Sequence, residues 1–406
     1  MTALKGGALK GGALNGVRVL DLGTFLAGPH CATILGEFGA EVIKVEPPKA
    51  GDSLRRLGTN TDCGDTLVWL SEARNKKCIT LNLQTEPGRA LLRRLAAQCD
   101  VVVENFRPGT LEKWGLGYED LKALNPRAVL VRISAYGQDG PMRTQPGFAR
   151  IAHAFSGLSY LAGEPDGKPV VPGSTSLADY MSGMYGAIGA LVALQARDKT
   201  GVGQCVDLAL YESVFRVLDE IAPAFQRFGT VRERQGADTV NVCPHSHYET
   251  RDGKWIAIAC TSDEMFARLA RAMQQPDLAA AERYGEKERR LAARDEVNRL
   301  VAAWVATLDL DAVLATCAEF DVPASLIYSI ADIFADAQYR ARGNIQTMAS
   351  RIGELAVPGV VPRLSDTPGE VRWLGAGLGD HNAEVFGELL GLGASELDQL
   401  RRENVI

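Results

Sequence analysis

A doubly wound, Rossmann-like α/β domain joined to a smaller α+β domain is the fold that this sequence predicts, and three observations carry it. From Val17, short β-branched runs alternate with longer helical patterns, as parallel strands joined by crossover helices do. The helical stretches carry the right punctuation, with Pro29 in a first turn and Gly39 just past an end. Past about Ala222 the texture changes to charged segments and a hairpin pattern, which marks a second domain.

In chain order, residues 17–22 form the first strand and residues 29–38 its following helix. Residues 42–45, 78–81, 101–103 and 129–133 are the next four strands, with crossover helices at 87–97 and 117–124. An apolar stretch at 180–196 carries Gly183, Gly186 and Gly189, and reads as a buried helix. Small residues three apart let a helix approach its neighbours closely, which offsets the roughly 1 kcal/mol that each helical glycine costs. Lys199-Thr200-Gly201-Val202-Gly203 ends it, and a strand follows at 205–210. Residues 255–259 follow the Asp252-Gly253 turn as a hairpin strand would. The charge run at 282–294 reads as a solvated helix face, and residues 382–390 as a helix before a last amphipathic turn. The expected division is a flexible leader at 1–16, containing the repeat Ala3-Leu4-Lys5-Gly6-Gly7 and Ala8-Leu9-Lys10-Gly11-Gly12. A large domain at 17–222, a small one at 223–331 and a return to the large domain at 332–406 complete it.

Composition narrows the function. Of 406 residues, 46% are apolar and 23% charged, a balance expected of a soluble globular chain. A net charge of −6 provides no basic surface for nucleic acid. No apolar run reaches the roughly 20 residues that cross a bilayer, so no membrane association is expected. Eight scattered cysteines, with no C-x-x-C pair, read as reduced packing residues of a cytoplasmic protein.

The loop after the first strand, Gly23-Thr24-Phe25-Leu26-Ala27-Gly28-Pro29, lacks the G-x-G-x-x-G spacing that lets a pyrophosphate reach a helix N-terminus, which disfavours a nicotinamide or flavin enzyme. No P-loop motif is present. Asp179 stands directly before the glycine-rich helix, where unpaired amides favour an ionised carboxylate. Helix N-cap aspartates are far commoner than nucleophilic ones, so position alone leaves both readings open. His245 and His247 have no neighbouring ligand at metal spacing, and His30, His153 and His381 have no recognisable partners for a hydrolytic triad. Asn75-Lys76-Lys77 and Asn105-Phe106-Arg107 with Lys113 sit beside predicted strand ends, where α/β sheets gather their ligands; taken singly, each reads as surface charge.

The chain resembles the family III CoA-transferases of CaiB/BaiF type. The matching stretches include Leu20-Asp21-Leu22, Ala27-Gly28-Pro29, Gly39-Ala40-Glu41-Val42-Ile43-Lys44-Val45-Glu46 and Asn75-Lys76-Lys77. Glu104-Asn105-Phe106-Arg107-Pro108-Gly109, Ser134-Ala135-Tyr136-Gly137 and Thr200-Gly201-Val202-Gly203-Gln204 extend the match. The resemblance implies that Asp179 is the family's nucleophile and that Phe25, Leu26 and Ala27 lie beside the thioester. It further implies that Lys76, Asn105, Phe106, Arg107, Lys113 and Tyr136 bind CoA, and that the chain forms an interlocked dimer with itself or a related subunit. The implied chemistry passes through mixed anhydrides and an aspartyl-CoA thioester. It needs no ATP, metal or redox cofactor, with coenzyme A entering only as part of the substrates.

A 2-methylacyl-CoA racemase of the same fold is the rival reading. Its proton-transferring histidine follows a glycine, and here that pair is Gly147-Phe148, where phenylalanine cannot move a proton. A non-catalytic CoA-binding protein is expected to have lost Asp179. The stretch Asp321-Val322-Pro323-Ala324-Ser325-Leu326-Ile327-Tyr328 resembles the succinyl-CoA-dependent branch, which implies an acceptor such as malate or citramalate. Asn241, His245 and His247 are the candidates for holding its distal carboxylate; formate, oxalate and carnitine are the alternative acceptors.

Overall fold

In the computed structural model, which describes residues 11–406, six parallel strands form one sheet in the order β3-β2-β1-β4-β5-β6. They are β1 (Arg18–Asp21), β2 (Glu41–Glu46), β3 (Lys76–Thr80), β4 (Val101–Glu104), β5 (Val129–Ser134) and β6 (Cys205–Ala209). Leu20 of β1 pairs with Ile43 on one side and Val102 on the other. Both β4 and β5 are buried along their whole length, so their sequences are mainly apolar, and the charged Glu104 and Arg132 within them pair with each other. The chain lays β2 and β3 to one side of β1, then crosses to β4, so the strand order reverses between β1 and β4. That reversal opens a crevice beyond the carboxyl ends of these two strands.

Two helices line one face of the sheet. The first crossover helix, Ala27–Glu37, and the long Leu177–Thr200 helix share a core with Val19, Val103, Val131 and Ile133. At 24 residues the second is long and apolar enough, by length and composition, to cross a membrane, against the expectation that no apolar stretch has that length. Its glycine stripe accounts for its composition. A Cβ on Gly183 would stand 2.9 Å from His30 Cβ and 3.0 Å from the Ala27 carbonyl oxygen, and one on Gly189 2.6 Å from Val206. The helix ends at Gly201, whose φ of 79° suits glycine.

Contacts divide the chain into two compact units. The larger comprises Met1–Leu158, Gly173–Glu220 and Arg340–Ile406, and the smaller Ser159–Pro172 and Ile221–Tyr339. The excursion Ser159–Pro172, which the sequence reading left in the large domain, groups with the smaller unit. The repeat from Ala3 lies outside the described residues up to its last two glycines. Leu14 is already tied in, its amide donating to the Phe38 carbonyl at 2.8 Å, so the leader does not extend to residue 16. The C-terminal segment runs beside β3: Trp69 Nε1 donates to Ala376 at 3.1 Å, and the Asn82 amide to Val405 at 2.7 Å.

The smaller unit holds an antiparallel sheet of β7 (His245–Glu249), β8 (Trp255–Ala259) and β9 (Ala324–Leu326), packed through Ile256 and Ile258 on Phe266, Val301 and Val305. The charged stretch expected as a solvated face splits into helices Lys287–Ala292 and Arg294–Val305. Arg290 is buried there, bonding the carbonyls of Cys243, Tyr284 and Gly285 and pairing with Asp263 at 2.6 Å. A hairpin of β10 (Ile345–Ser350) and β11 (Gly353–Pro358), absent from the sequence reading, belongs to the larger unit.

Gly183→Ala tests the helix contact. The added methyl meets a backbone oxygen as well as a side chain, so the two helices must part, and a loss of about 1–3 kcal/mol in urea unfolding is expected.

Candidate active site

The loop after β1 is held by charged side chains buried beneath it. Asp21, fully buried, accepts from the Gly23 amide at 3.0 Å and from Lys76 Nζ at 2.8 Å. Lys44 of β2 donates to the Gly23 carbonyl and pairs with Asp52 at 2.9 Å. Burial opposes the charge on Lys44, but Asp21 and Asp52 outweigh it and hold the ammonium above the ordinary lysine range. Asp52, held below the usual carboxylate range by Lys44 and by backbone amides despite its burial, accepts from the Phe25 amide at 3.1 Å. From the end of β4, Asn105 accepts from the Thr24 amide at 2.7 Å and donates to the Thr24 carbonyl at 2.8 Å. These bonds keep Phe25 at a φ of 59°, a left-handed backbone that a residue with a Cβ rarely adopts.

This loop, the segment after β4 and Ser134-Ala135 at the end of β5 surround a pocket of 260 Å³ in the crevice, and Asp179 lines it. Asp179 is the third residue of its helix; Ser176 is the N-cap and makes no side-chain capping bond. One reading that position left open is thereby closed, and one expectation is corrected. Asp179 does not cap the helix, and burial pushes its carboxyl up to about 6 rather than leaving it as an ordinary ionised group. Gly183, one turn on and on the same face, packs at Ala27, which sets Asp179 against the Ala27 wall.

The histidines have partners that the sequence did not disclose. His153 Nε2 accepts from the Ala178 amide at 3.0 Å, so that nitrogen is unprotonated, and burial with the nearby Arg150 charge pushes its pKa down. His30 Nδ1 lies 3.2 Å from Glu72, and His381 Nδ1 accepts from the Cys78 amide at 3.1 Å.

Of the residues singled out in the sequence, Phe25, Leu26, Ala27, Asn105, Phe106 and Arg107 line the same pocket as Asp179. Tyr136 lies beside it in an aromatic cluster, 5.3 Å from Phe155 and 6.3 Å from Tyr211 between ring centroids. Lys113 is exposed at the end of the short Thr110–Lys113 helix. Lys76 departs from the expectation: it is 1% exposed, and its ammonium is spent on Asp21 and on the Pro29 carbonyl at 2.7 Å, so it supports the loop from below. Asn241, His245 and His247 belong to the smaller unit. There His247 lines an 810 Å³ cavity with Lys254, Trp255 and Asp332, while the buried His245 Nδ1 has no partner among the described residues.

Sequence reasoning missed Ser134 as a pocket residue and overlooked Arg143 and Gln145, which also line it. No motif spacing marks Arg143; its one signal was its place in the loop after a strand of a parallel sheet. Gly147 and Phe148, the pair that stands where a racemase would carry its histidine, line this pocket too. The Phe148 ring meets that of Phe25 edge-on at 6.0 Å.

The described geometry agrees with what the chain is similar to. The alpha and beta subunits of the succinyl-CoA–L-malate CoA-transferase of Chloroflexus aurantiacus are 53% and 52% identical to it, covering 97% and 96% of this chain and 92% and 97% of theirs. A succinyl-CoA–D-citramalate CoA-transferase of the same organism is 45% identical over 96% of this chain and 97% of its own. A crystal structure of a CAIB/BAIF family protein from Brucella suis superposes with a TM-score of 0.83 at 34% identity, covering 94% of this chain and all of that one. The family model described as CoA-transferase family III matches residues 14–382, and with the fold and relatives above, the chain is a member of that family of enzymes.

Proposed function

We propose that this enzyme moves CoA from succinyl-CoA to a small dicarboxylate, L-malate foremost and citramalate second, with Asp179 as a covalent nucleophile. The observation that carries the reading is that Asp179 is the one carboxyl group among the described residues lining the pocket. The pocket is just below the roughly 300–1,000 Å³ of ordinary ligand sites, a size for the acyl group and thioester with the rest of CoA outside. Malate ranks first because the relatives named for it are 53% and 52% identical, against 45% for the citramalate enzyme.

The steps balance without an added reactant. The Asp179 carboxylate attacks the succinyl-CoA carbonyl, forming a mixed anhydride and expelling the CoA thiolate. The thiolate attacks the aspartyl carbonyl, releasing succinate and leaving an aspartyl-CoA thioester. The acceptor carboxylate attacks that thioester, giving a second anhydride and thiolate, and thiolate attack on the acceptor's carbonyl releases the new acyl-CoA and regenerates Asp179. The amides of Gly23, Thr24 and Phe25 already serve side-chain acceptors, whereas those of Ala27 and Gly28 open the helix without intrahelical partners and are the donors for the oxyanions. Phe25, Leu26, Ala27 and Phe148 keep water from intermediates that it would hydrolyse.

We further propose that the chain acts as an interlocked dimer, with a second copy of itself or a related subunit. The near-equal identity to an alpha and a beta subunit supports this, as does an apolar stripe on the Leu177–Thr200 helix, where Met184, Ile188, Leu191 and Val192 are 41–63% exposed. Light scattering of the chain alone should give twice its monomer mass, and Ile188→Glu with Val192→Glu should weaken that association; a monomeric wild-type chain refutes self-association.

Asp179→Ala should fold, yet retain less than roughly a thousandth of the wild-type transfer rate. Wild type mixed with succinyl-CoA alone should yield a borohydride- or hydroxylamine-trapped modification on the peptide containing Asp179. Rapid uptake of α-deuterium by a branched acyl-CoA, with no trapped adduct, would instead identify a racemase.

The pH dependence follows from the raised carboxyl. The nucleophile must be ionised, so kcat/KM should fall tenfold per pH unit below about 6. The folded protein holds this proton up to about pH 6 while the unfolded chain releases it near 3.8, so stability is lost as pH rises between these values. Asp179→Asn lacks that loss. It should be more stable than wild type by about 3 kcal/mol above pH 7, with the difference vanishing below pH 4, as followed by urea unfolding.

A further inference from the structure

Two cations line the Asp179 pocket, Arg107 and Arg143, and neither side chain makes an ion pair or hydrogen bond among the described residues. They sit at different places on the wall. Arg107 follows Phe106, which also borders a neighbouring apolar cleft of 220 Å³ with Leu22, Val45, Leu81 and Trp114. Arg143 belongs to the loop after β5, which carries Gln145 and Phe148, and Phe148 closes against Phe25. Phe106 thus borders both the Asp179 pocket and that cleft, whose lining also holds Glu46. A second observation lies within that pocket. The Ser134 hydroxyl is buried in a residue 6% exposed and has no hydrogen-bond partner among the described residues, so the wall holds a polar group left for a ligand to satisfy.

We propose that Arg143, assisted by the Ser134 hydroxyl, reads the distal carboxylate of the transferred acid and so sets the preference for dicarboxylates. This rests on the reading of the pocket as the acyl site. A guanidinium offers paired donors that match a carboxylate, and a serine hydroxyl supplies a further donor. Asn105 already bonds Thr24 in both directions, and its neutral amide brings no charge to pair with a carboxylate. The assignment places carboxylate recognition in the pocket of the nucleophile itself, on the loop after β5.

The test compares kcat/KM for succinyl-CoA and for butyryl-CoA, which has the same four-carbon chain without the distal charge. Arg143→Gln should lower the succinyl-CoA value by about tenfold to a hundredfold and leave the butyryl-CoA value unchanged, with Arg143→Lys restoring part of the loss. Ser134→Ala should show a smaller loss of the same selectivity. Arg107→Gln, the control for the CoA portion, should lower both donors together. An equal loss for both donors in Arg143→Gln, or no loss, overturns the proposal, as does a succinyl-CoA preference that survives Arg143→Gln and disappears in His247→Ala. Failure of the functional reading is seen separately, in wild type: no trapped adduct and no transfer from succinyl-CoA to any dicarboxylate.

Discussion

The site depends on the charges buried under the β1 loop. Asp21, Lys44, Lys76 and Asp52 come from three strands and a following loop, and together they fix the backbone of residues 23–25. Each ion is costly to bury alone, and removing one partner from such a group typically costs about 3–5 kcal/mol because it strands the others. Replacing the whole group with packed apolar residues would be no worse for stability, so what the ions contribute is direction. They draw the Gly23 carbonyl and amide, and the Phe25 amide, to fixed points, and Phe25 holds a left-handed φ in consequence.

That constraint explains how a sheet with the strand order of a dinucleotide-binding fold serves a different ligand. In such folds the first loop presents free amides and glycines to a pyrophosphate. Here the amides of Gly23, Thr24 and Phe25 are each taken by a side chain, from Asp21, Asn105 and Asp52. The crevice survives, but Phe25, Leu26, Ala27 and Phe148 line it, and its one carboxyl group among the described residues comes from a different helix. The raised affinity of Asp179 for its proton comes from that same dry setting.

Much of the fold was legible because parallel strands buried on both faces announce themselves: β2, β4 and β5 fall within a residue or so of the apolar runs that predicted them. The β10–β11 hairpin escaped because half of its residues are exposed and Val357 is its one fully buried position, so its apolar run is only the short Leu355-Ala356-Val357. The departure of Ser159–Pro172 to the other unit is a matter of long-range packing, to which local periodicity is blind. At the site, the motif residues around Phe25 and Asn105 were legible together with Asp179. Lys76 misled because a lysine beside a strand end looks the same in sequence whether it meets a ligand or a buried aspartate. The burial that sets Asp179's proton affinity is likewise invisible in one dimension.

The interruptions of the larger unit set the order in which the chain can assemble. Its first piece already holds five strands, but β6 and the long helix that covers the sheet arrive only after the excursion through Ser159–Pro172. The last piece, whose Val405 bonds Asn82, emerges only after the whole of the smaller unit. At about 5–20 residues per second, the apolar face of β1 to β5 waits several seconds for its helix and the β3 edge some ten seconds or more beyond that. The smaller unit, nearly contiguous in sequence, closes before the larger one is complete. A ribosome-bound nascent chain is therefore most open to aggregation, and most dependent on chaperones, while the sheet that will carry the β1 loop is still uncovered.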